Sequence, residues 1–351
     1  MTGSKRETKM EQAGQRPSAA LMRLVNGYQV SQAIHVAATL GIADLLADGP
    51  RTSDDLAAAT DCAPPSFYRL LRALASVGVF REEGGRRFAL TPLGDCLRAD
   101  RAEGVGFRAR RLGLPSHWQP WGDLLRSVRT GENAFRHLHG MDLWEYQTRH
   151  PEAGAIFDTD MTSNSRRQVA ALLAAYDFGR FTRLVDVGGG QGALLAAILA
   201  EHPAAHGVLF DRPQVVAQAE PLLQAADVGD RCQVVGGSFF ESVPPGGDAY
   251  LLKVILHDWA DEPAIAILQT CRRAIGPTGT LLVIEHVVGP PNEDDAGKRM
   301  DLHMLVMLGG RERTREEWTA LLASGGFHLA GITPTASELS VELSVIEGSP
   351  A

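Results

Sequence analysis

At 351 residues the chain is long enough for two domains, and its 44% hydrophobic and 22% charged content is that of an ordinary globular protein. A formal net charge of −8 argues against non-specific affinity for nucleic acid or an anionic membrane surface. No apolar run approaches the roughly 18 residues that span a bilayer. The four cysteines, Cys62, Cys96, Cys232 and Cys271, lie far apart with no CxxC pair, which suits free thiols in a cytoplasmic protein.

In chain order, the polar residues 1–17 are expected to form a flexible tail with no signal-peptide core. Residues 18–100 read as mostly helical. Leu21, Met22, Leu24 and Val25, then Ile34, Val36 and Ala37, recur at helical spacing. Thr52-Ser53-Asp54-Asp55 looks like a capped helix start, and Pro64-Pro65 opens a helix from Ser66 to Val77 with Phe67, Leu70, Leu71 and Leu74 on one face. Two apolar segments bracketing Glu83-Gly84-Gly85 predict a hairpin. Helix, helix, hairpin is the order of a winged helix, which can read DNA or serve as a dimerisation module. The acidic balance, with only Arg69 and Arg72 as a basic stripe, favours the second use. Residues 101–165, rich in scattered aromatics, are read as a helical linker and substrate cap. From 166 to 351 strands alternate with helices. Strands are predicted at 183–187, 207–211, 232–235, 248–255 and 280–286, a βαβ series with a parallel sheet. The end, from Ile332 to Ile346, reads as an antiparallel pair.

The first of these strands runs Leu184-Val185-Asp186-Val187 into Gly188-Gly189-Gly190-Gln191-Gly192 and then an apolar helix. Such glycines let the backbone turn tightly, and the helix N-terminus offers free N–H groups to a ligand. Gly188-x-Gly190-x-x-Ala193 fits a dinucleotide fingerprint, as in an NAD-dependent oxidoreductase. It also fits the acidic-x-Gly-x-Gly-x-Gly loop of S-adenosylmethionine (SAM) methyltransferases. Asp186 favours SAM, because a carboxylate there would repel a pyrophosphate and attract a sulfonium and an ammonium. Asp211, ending the second strand, suits the ribose of either cofactor. The fold class is therefore α/β, a Rossmann-like SAM methyltransferase sheet with a C-terminal antiparallel hairpin, preceded by a winged-helix-like domain.

Ligands in such sheets bind beyond the carboxyl ends of the strands. Those ends carry Gly237, Ser238 and Phe239, then Lys253 with His257, Asp258 and Trp259, then Glu285. Phe239 or Trp259 offers a plate for an adenine ring, and Lys253 a partner for a carboxylate. His257 is the histidine placed to act as a general base. An imidazole with pKa near 6.5 takes a proton at neutral pH, and a phenol near pKa 10 needs such help to attack a methyl carbon. A plainer reading makes Asp258 and Asp261 caps of the helix that follows. His202 with His206, and His137 with His139, read as solvated surface residues, so no metal site is expected.

Three segments carry a resemblance to a known family: Gly236 to Pro244, Tyr250 to Trp259, and Gly309-Gly310-Arg311-Glu312-Arg313-Thr314. They are similar to the plant caffeic-acid-type O-methyltransferases and to bacterial relatives that tailor aromatic antibiotics and pigments. The resemblance implies a SAM-dependent homodimer joined through its N-terminal domain and acting on an aromatic small molecule. It makes His257 the general base, Glu285 and Glu312 the acids that orient it, and Asp258 an adjacent helper. It places Ser165, Gly188, Asp211, Phe239, Lys253 and Trp259 at the cofactor, and Phe157, Met161, Met304 and Met307 on the pocket walls. Ser238 departs from the plant pattern, which usually has Asp there, and the segment from Met304 to Gly309 is shorter than in plants. Some bacterial relatives use SAM for hydroxylation, decarboxylation or rearrangement. An intact His257 with Glu285 and Glu312 favours methyl transfer.

Overall fold

The computed structural model describes residues 16–101, 104–335 and 342–351. The expected tail lies outside these up to residue 15, and the first helix already includes Pro17. The chain divides into two compact units, 1–114 and 115–351.

The first unit is built from four main helices, α1 (Pro17–Val25), α2 (Gly27–Thr39), α3 (Ser53–Ala59) and α4 (Pro64–Ser76), and a small antiparallel sheet. Strands β1 (Arg51–Thr52), β2 (Phe80–Glu83) and β3 (Arg87–Leu90) lie in the order β1-β3-β2. Thr52 caps α3 by accepting the Asp55 N–H at 3.1 Å, and proline, whose missing N–H costs nothing there, opens α4. Phe67, Leu71 and Leu74 of α4 pack with Ile42, Phe80 and Phe88 in one core, while Leu70 is left half-buried at its edge. Helix α1 buries no residue and leaves Leu21, Met22, Leu24 and Val25 53% to 78% exposed. A contiguous apolar face of this kind marks an association surface.

The second unit is organised by a seven-stranded sheet. Its strands are β4 (Arg183–Val187), β5 (His206–Asp211), β6 (Cys232–Gly236), β7 (Ala249–Lys253), β8 (Thr280–Glu285), β9 (Phe327–Pro334) and β10 (Ser344–Pro350). The order is β6-β5-β4-β7-β8-β10-β9. Strands β4 to β8 pair in parallel, and β10 runs antiparallel to both β8 and β9. The parallel strands are apolar on both faces because helices cover both: Tyr250, Leu251 and Leu252 are all fully buried. The chain leaves β4 in one direction for β5 and β6 and in the other for β7 and β8, which opens a crevice at the carboxyl end of β4. The predicted strands match these to within two residues, and the hairpin at the end is present, with Val341 outside the described residues.

Five helices matter for the site: α5 (Pro151–Ala175), α6 (Ala193–Glu201), α7 (Asp261–Ala274), α8 (Ala296–Met307) and α9 (Arg315–Ser324). Helix α5 runs unbroken through position 165, where the sequence suggested a boundary. The N-cap of α7 is Ala260, with no side-chain cap, so Asp258 does not cap that helix. Thr314 and Glu317 form a reciprocal capping box on α9. Among the described residues no helix is long and apolar enough to cross a membrane.

Candidate active site

The glycine loop after β4 is shaped by three positive-φ glycines, Gly188 (+73°), Gly190 (+61°) and Gly192 (+85°). The Phe210 carbonyl accepts the N–H groups of Gly188 at 2.7 Å and Gly189 at 3.3 Å. Asp211 accepts from Gly190 N at 2.8 Å and Arg212 N at 2.6 Å, so the second-strand acid also ties the loop down. Asp186 lies directly under the loop: a Cβ on Gly189 would stand 2.5 Å from its Oδ2. This carboxylate is 1% exposed, and neither oxygen has a hydrogen-bond partner. Burial lifts its pKa to about 7, against the pull of Lys253. Lys253, at the end of β7, is half-buried and pushed by desolvation down to about 8, and its ammonium donates to Ser165 Oγ on α5 at 3.2 Å.

Two buried, unpaired acceptor oxygens under a glycine loop fit the cationic end of SAM. They would confront a pyrophosphate with a second negative charge, which removes the NAD reading. Next to the loop, Phe239, Phe240 and Trp259 form an edge-on trio with centroids 4.8 to 6.2 Å apart, and the Trp259 indole N–H has no partner. Gly237 fits closely beneath: its N–H bonds the Asp211 carbonyl, and a Cβ would strike the Phe210 ring. Ser238 spends its hydroxyl on the Phe240 N–H at 3.3 Å.

His257 sits on a short turn after β7. Val254, at φ +57°, reverses the chain, a conformation that β-branched residues resist. The turn is then held by Glu285, at the end of β8, whose Oε1 accepts the N–H groups of Ile255 (2.9 Å), Leu256 (2.8 Å) and His257 (3.3 Å). Glu312 Oε1 takes the His257 Nδ1 at 2.7 Å, and Asp258 Oδ1 stands 3.3 Å from Nε2. Both His257 and its two glutamates are buried. Burial alone would push the imidazole down, but the charges of Glu285, Glu312 and Asp258 outweigh it and raise the pKa to about 10. This corrects the expectation of an imidazole near 6.5. Asp258 is lifted by burial to about 7, and Glu285 is also raised by burial. Among the described residues, His257, Glu285 and Glu312 also form the one group of metal-ligand type, with donor atoms within 4.8 Å.

The expected wall residues divide. Phe157 meets Trp144 edge-on at 5.7 Å and packs against a cluster of Phe135, Leu143, Val306 and Met307. Met304 and Met307 are buried on α8, and Met161 is half-buried on α5. Two contributors escaped the sequence reading. Asp301 on α8 accepts the Glu312 N–H at 2.8 Å, and Arg313 is fully buried behind the turn. Arg313 lies inside the quoted Gly-Gly-Arg-Glu-Arg-Thr segment, but only the fold shows what its guanidinium reaches. His137 and His206 are exposed as expected, while His202 is half-buried and His139, also half-buried, packs on Phe135 at 4.4 Å.

Comparison with known proteins agrees with this geometry. An O-methyltransferase domain profile matches residues 121–328, and an O-methyltransferase dimerisation domain profile matches residues 22–100. The chain is 43% identical over 335 residues to the phenazine O-methyltransferase PhzM of Lysobacter antibioticus, covering 95% of this chain and 98% of that one. It is 41% identical over 310 residues to the 8-amino-8-demethylriboflavin N,N-dimethyltransferase of Streptomyces davaonensis, covering 87% and 89%. The crystal structure of the O-methyltransferase NcsB1 from neocarzinostatin biosynthesis, in complex with SAM and 2-hydroxy-5-methyl naphthoic acid, superposes with a TM-score of 0.80 at 35% identity, covering 92% and 96%. With its N-terminal dimerisation domain and its sheet of seven strands, the chain belongs to the SAM-dependent O-methyltransferase family, whose members include homodimeric enzymes of bacterial secondary metabolism.

Proposed function

We propose that this protein transfers a methyl group from SAM to a hydroxyl of a flat aromatic small molecule, with His257 as the general base. One observation supports the assignment: the 2.7 Å bond from His257 Nδ1 to Glu312 keeps a proton on Nδ1, so the proton exchanged with the acceptor is the one at Nε2, with Asp258 3.3 Å away. The cofactor supplies an electrophilic methyl on sulfur. A C–O bond forms, the C–S bond breaks, and the hydroxyl proton goes to Nε2, with S-adenosylhomocysteine as the other product. An imidazole near 10 and a phenol near 10 share a proton almost evenly, so a phenolate facing an imidazolium costs little to form. Asp258 steadies the charged ring, and Glu285 holds the turn in place.

On this reading Asp186, Gly188, Gly190, Asp211, Gly237, Ser238, Phe239, Lys253, Trp259 and Ser165 surround SAM. Asp186 faces its cationic end and the aromatic residues its adenine. Phe157, Met161, Met304 and Met307 shape the acceptor pocket, and soft methionines suit planar rings. Residues 18–100 serve dimerisation, 101–165 cap the acceptor, and 166–351 form the catalytic domain. The unpaired thiols of Cys62, Cys96, Cys232 and Cys271 suit the cytoplasm. The test is transfer of isotopically labelled methyl from SAM to a panel of polycyclic phenols, read by mass spectrometry. A gain of one methyl supports the reading. SAM binding with no gain on any phenol, but with a hydroxylated or decarboxylated product, would replace it with the non-methylating reaction.

A further inference from the structure

Arg313 is a buried charge that the proposed chemistry leaves unexplained. It is 1% exposed, yet it stands behind the catalytic turn and not beside the proposed ligands. Its Nη1 donates to the Leu256 carbonyl at 3.1 Å, and its Nη2 to the Trp259 carbonyl at 2.9 Å. These two carbonyls flank His257 and Asp258, so one planar cation grips both ends of the turn. The guanidinium is oriented in its own turn by Asp261, whose Oδ1 accepts from Nε at 3.1 Å and Nη2 at 2.8 Å. It also lies over the Trp318 ring, 5.3 Å from the centroid. The backbone on either side reinforces the grip. Arg311 N–H donates to the His257 carbonyl at 2.9 Å, and Gly310 lies so close to the 257–259 backbone that a Cβ could not fit.

We infer that Arg313 is a positioning residue for the methyl-transfer reaction: by holding the carbonyls of Leu256 and Trp259 it sets the direction in which the His257 imidazole points. Glu285 restrains the N–H side of the turn and Arg313 the C=O side, so the two together leave the ring one orientation between Glu312 and Asp258. A lysine cannot replace the fork, because a single ammonium does not present donors in two fixed directions. The inference rests on His257 being the base, and the test keeps the two apart.

Labelled-methyl turnover at saturating SAM is measured for the wild type, His257→Ala, Arg313→Lys and Asp261→Asn, together with NMR titration of the histidine side chains. Wild-type turnover that His257→Ala abolishes secures the base. If His257→Ala keeps the wild-type rate, the reading of the base fails, and this inference with it. With the base secured, Arg313→Lys is expected to lower kcat by about 10- to 100-fold, the cost of an ångström-scale misplacement. The His257 titration is expected to move to lower pH as the ring swings off its carboxylates. A merely structural arginine would reduce the folded fraction and leave the titration of the folded protein where it was. Should Arg313→Lys not fold, Asp261→Asn decides, since Asp261 is 55% exposed and its loss frees the guanidinium while giving up only a looser 3.6 Å pair with Arg311. It is expected to lower kcat several-fold with the same direction of titration shift. A wild-type kcat and an unmoved His257 titration in whichever variant folds would overturn the inference.

Discussion

The glycine loop after β4 and the turn after β7 leave adjacent strands of one sheet, yet they are held by opposite means. Glycines with positive φ and backbone acceptors shape the first, and Asp211 supplies its main side-chain tie. Side chains shape the second, with Glu285 on its N–H groups and Arg313 on its carbonyls, strongly enough to hold Val254 at φ +57°. The polar groups differ in the same sense. Asp186 under the loop keeps both oxygens unpaired, whereas His257 on the turn is bracketed by carboxylates. A site that must accept a ligand keeps its acceptors open. On the proposed reading, a site that moves one proton repeatedly has its geometry fixed in advance.

That contrast can be broken at its strongest point first. His257→Ala should lower kcat by about 10²- to 10⁴-fold while isothermal calorimetry shows SAM affinity unchanged. Loss of SAM binding together with the rate would show that the two loops are not separable. Asp186→Asn should do the reverse, weakening SAM by about 10- to 100-fold, the scale of one hydrogen bond to a charged group, with a smaller change in the saturated rate. An unchanged dissociation constant would remove Asp186 from the cofactor site.

The pH dependence sharpens the description of the turn. Because the imidazole is raised to about 10 and the free enzyme must lose one proton to react, kcat/KM should climb with pH toward that value. Glu312→Gln removes a negative charge that holds the proton on, so the climb should shift down by about a unit or more. A shift in the other direction would mean that Glu312 does not act on His257. The smallest effect is expected at Gly190. A Cβ there meets nothing within 4 Å, so Gly190→Ala carries only the left-handed penalty of about 1 kcal/mol, a few degrees in melting temperature. Gly189→Ala, whose Cβ would press on Asp186 and Leu209, should cost visibly more. Equal losses would show that the loop rearranges freely.

Much of this was legible in the chain. Strands β4 to β8 are local apolar runs, and the glycines and acids at their ends follow directly, as do the hairpin of the small sheet and the Thr52 cap. Local pattern cannot convey which distant partner a charged residue finds. Glu285 reaches back about thirty positions to three consecutive amides, and Arg313 reaches back more than fifty to two carbonyls. Nor does residue type reveal basicity. His257 looked like an ordinary imidazole, and only the convergence of Glu285, Glu312 and Asp258 raises it. The boundary expected at 165 falls inside α5, which runs unbroken from Pro151 to Ala175 across a change from the polar 158–168 to the apolar 169–175.

Glu285 closes the paired edge where the sheet changes from parallel to antiparallel, and one of its oxygens gathers three successive amides. Those amides cannot meet solvent one at a time. In a deuterium-exchange experiment Ile255, Leu256 and His257 should take up label as a single cooperative group, governed by the slow opening of β8 and not by local fraying. Their common exchange rate would then serve as a built-in clock for the intactness of the turn that carries His257, readable without any substrate.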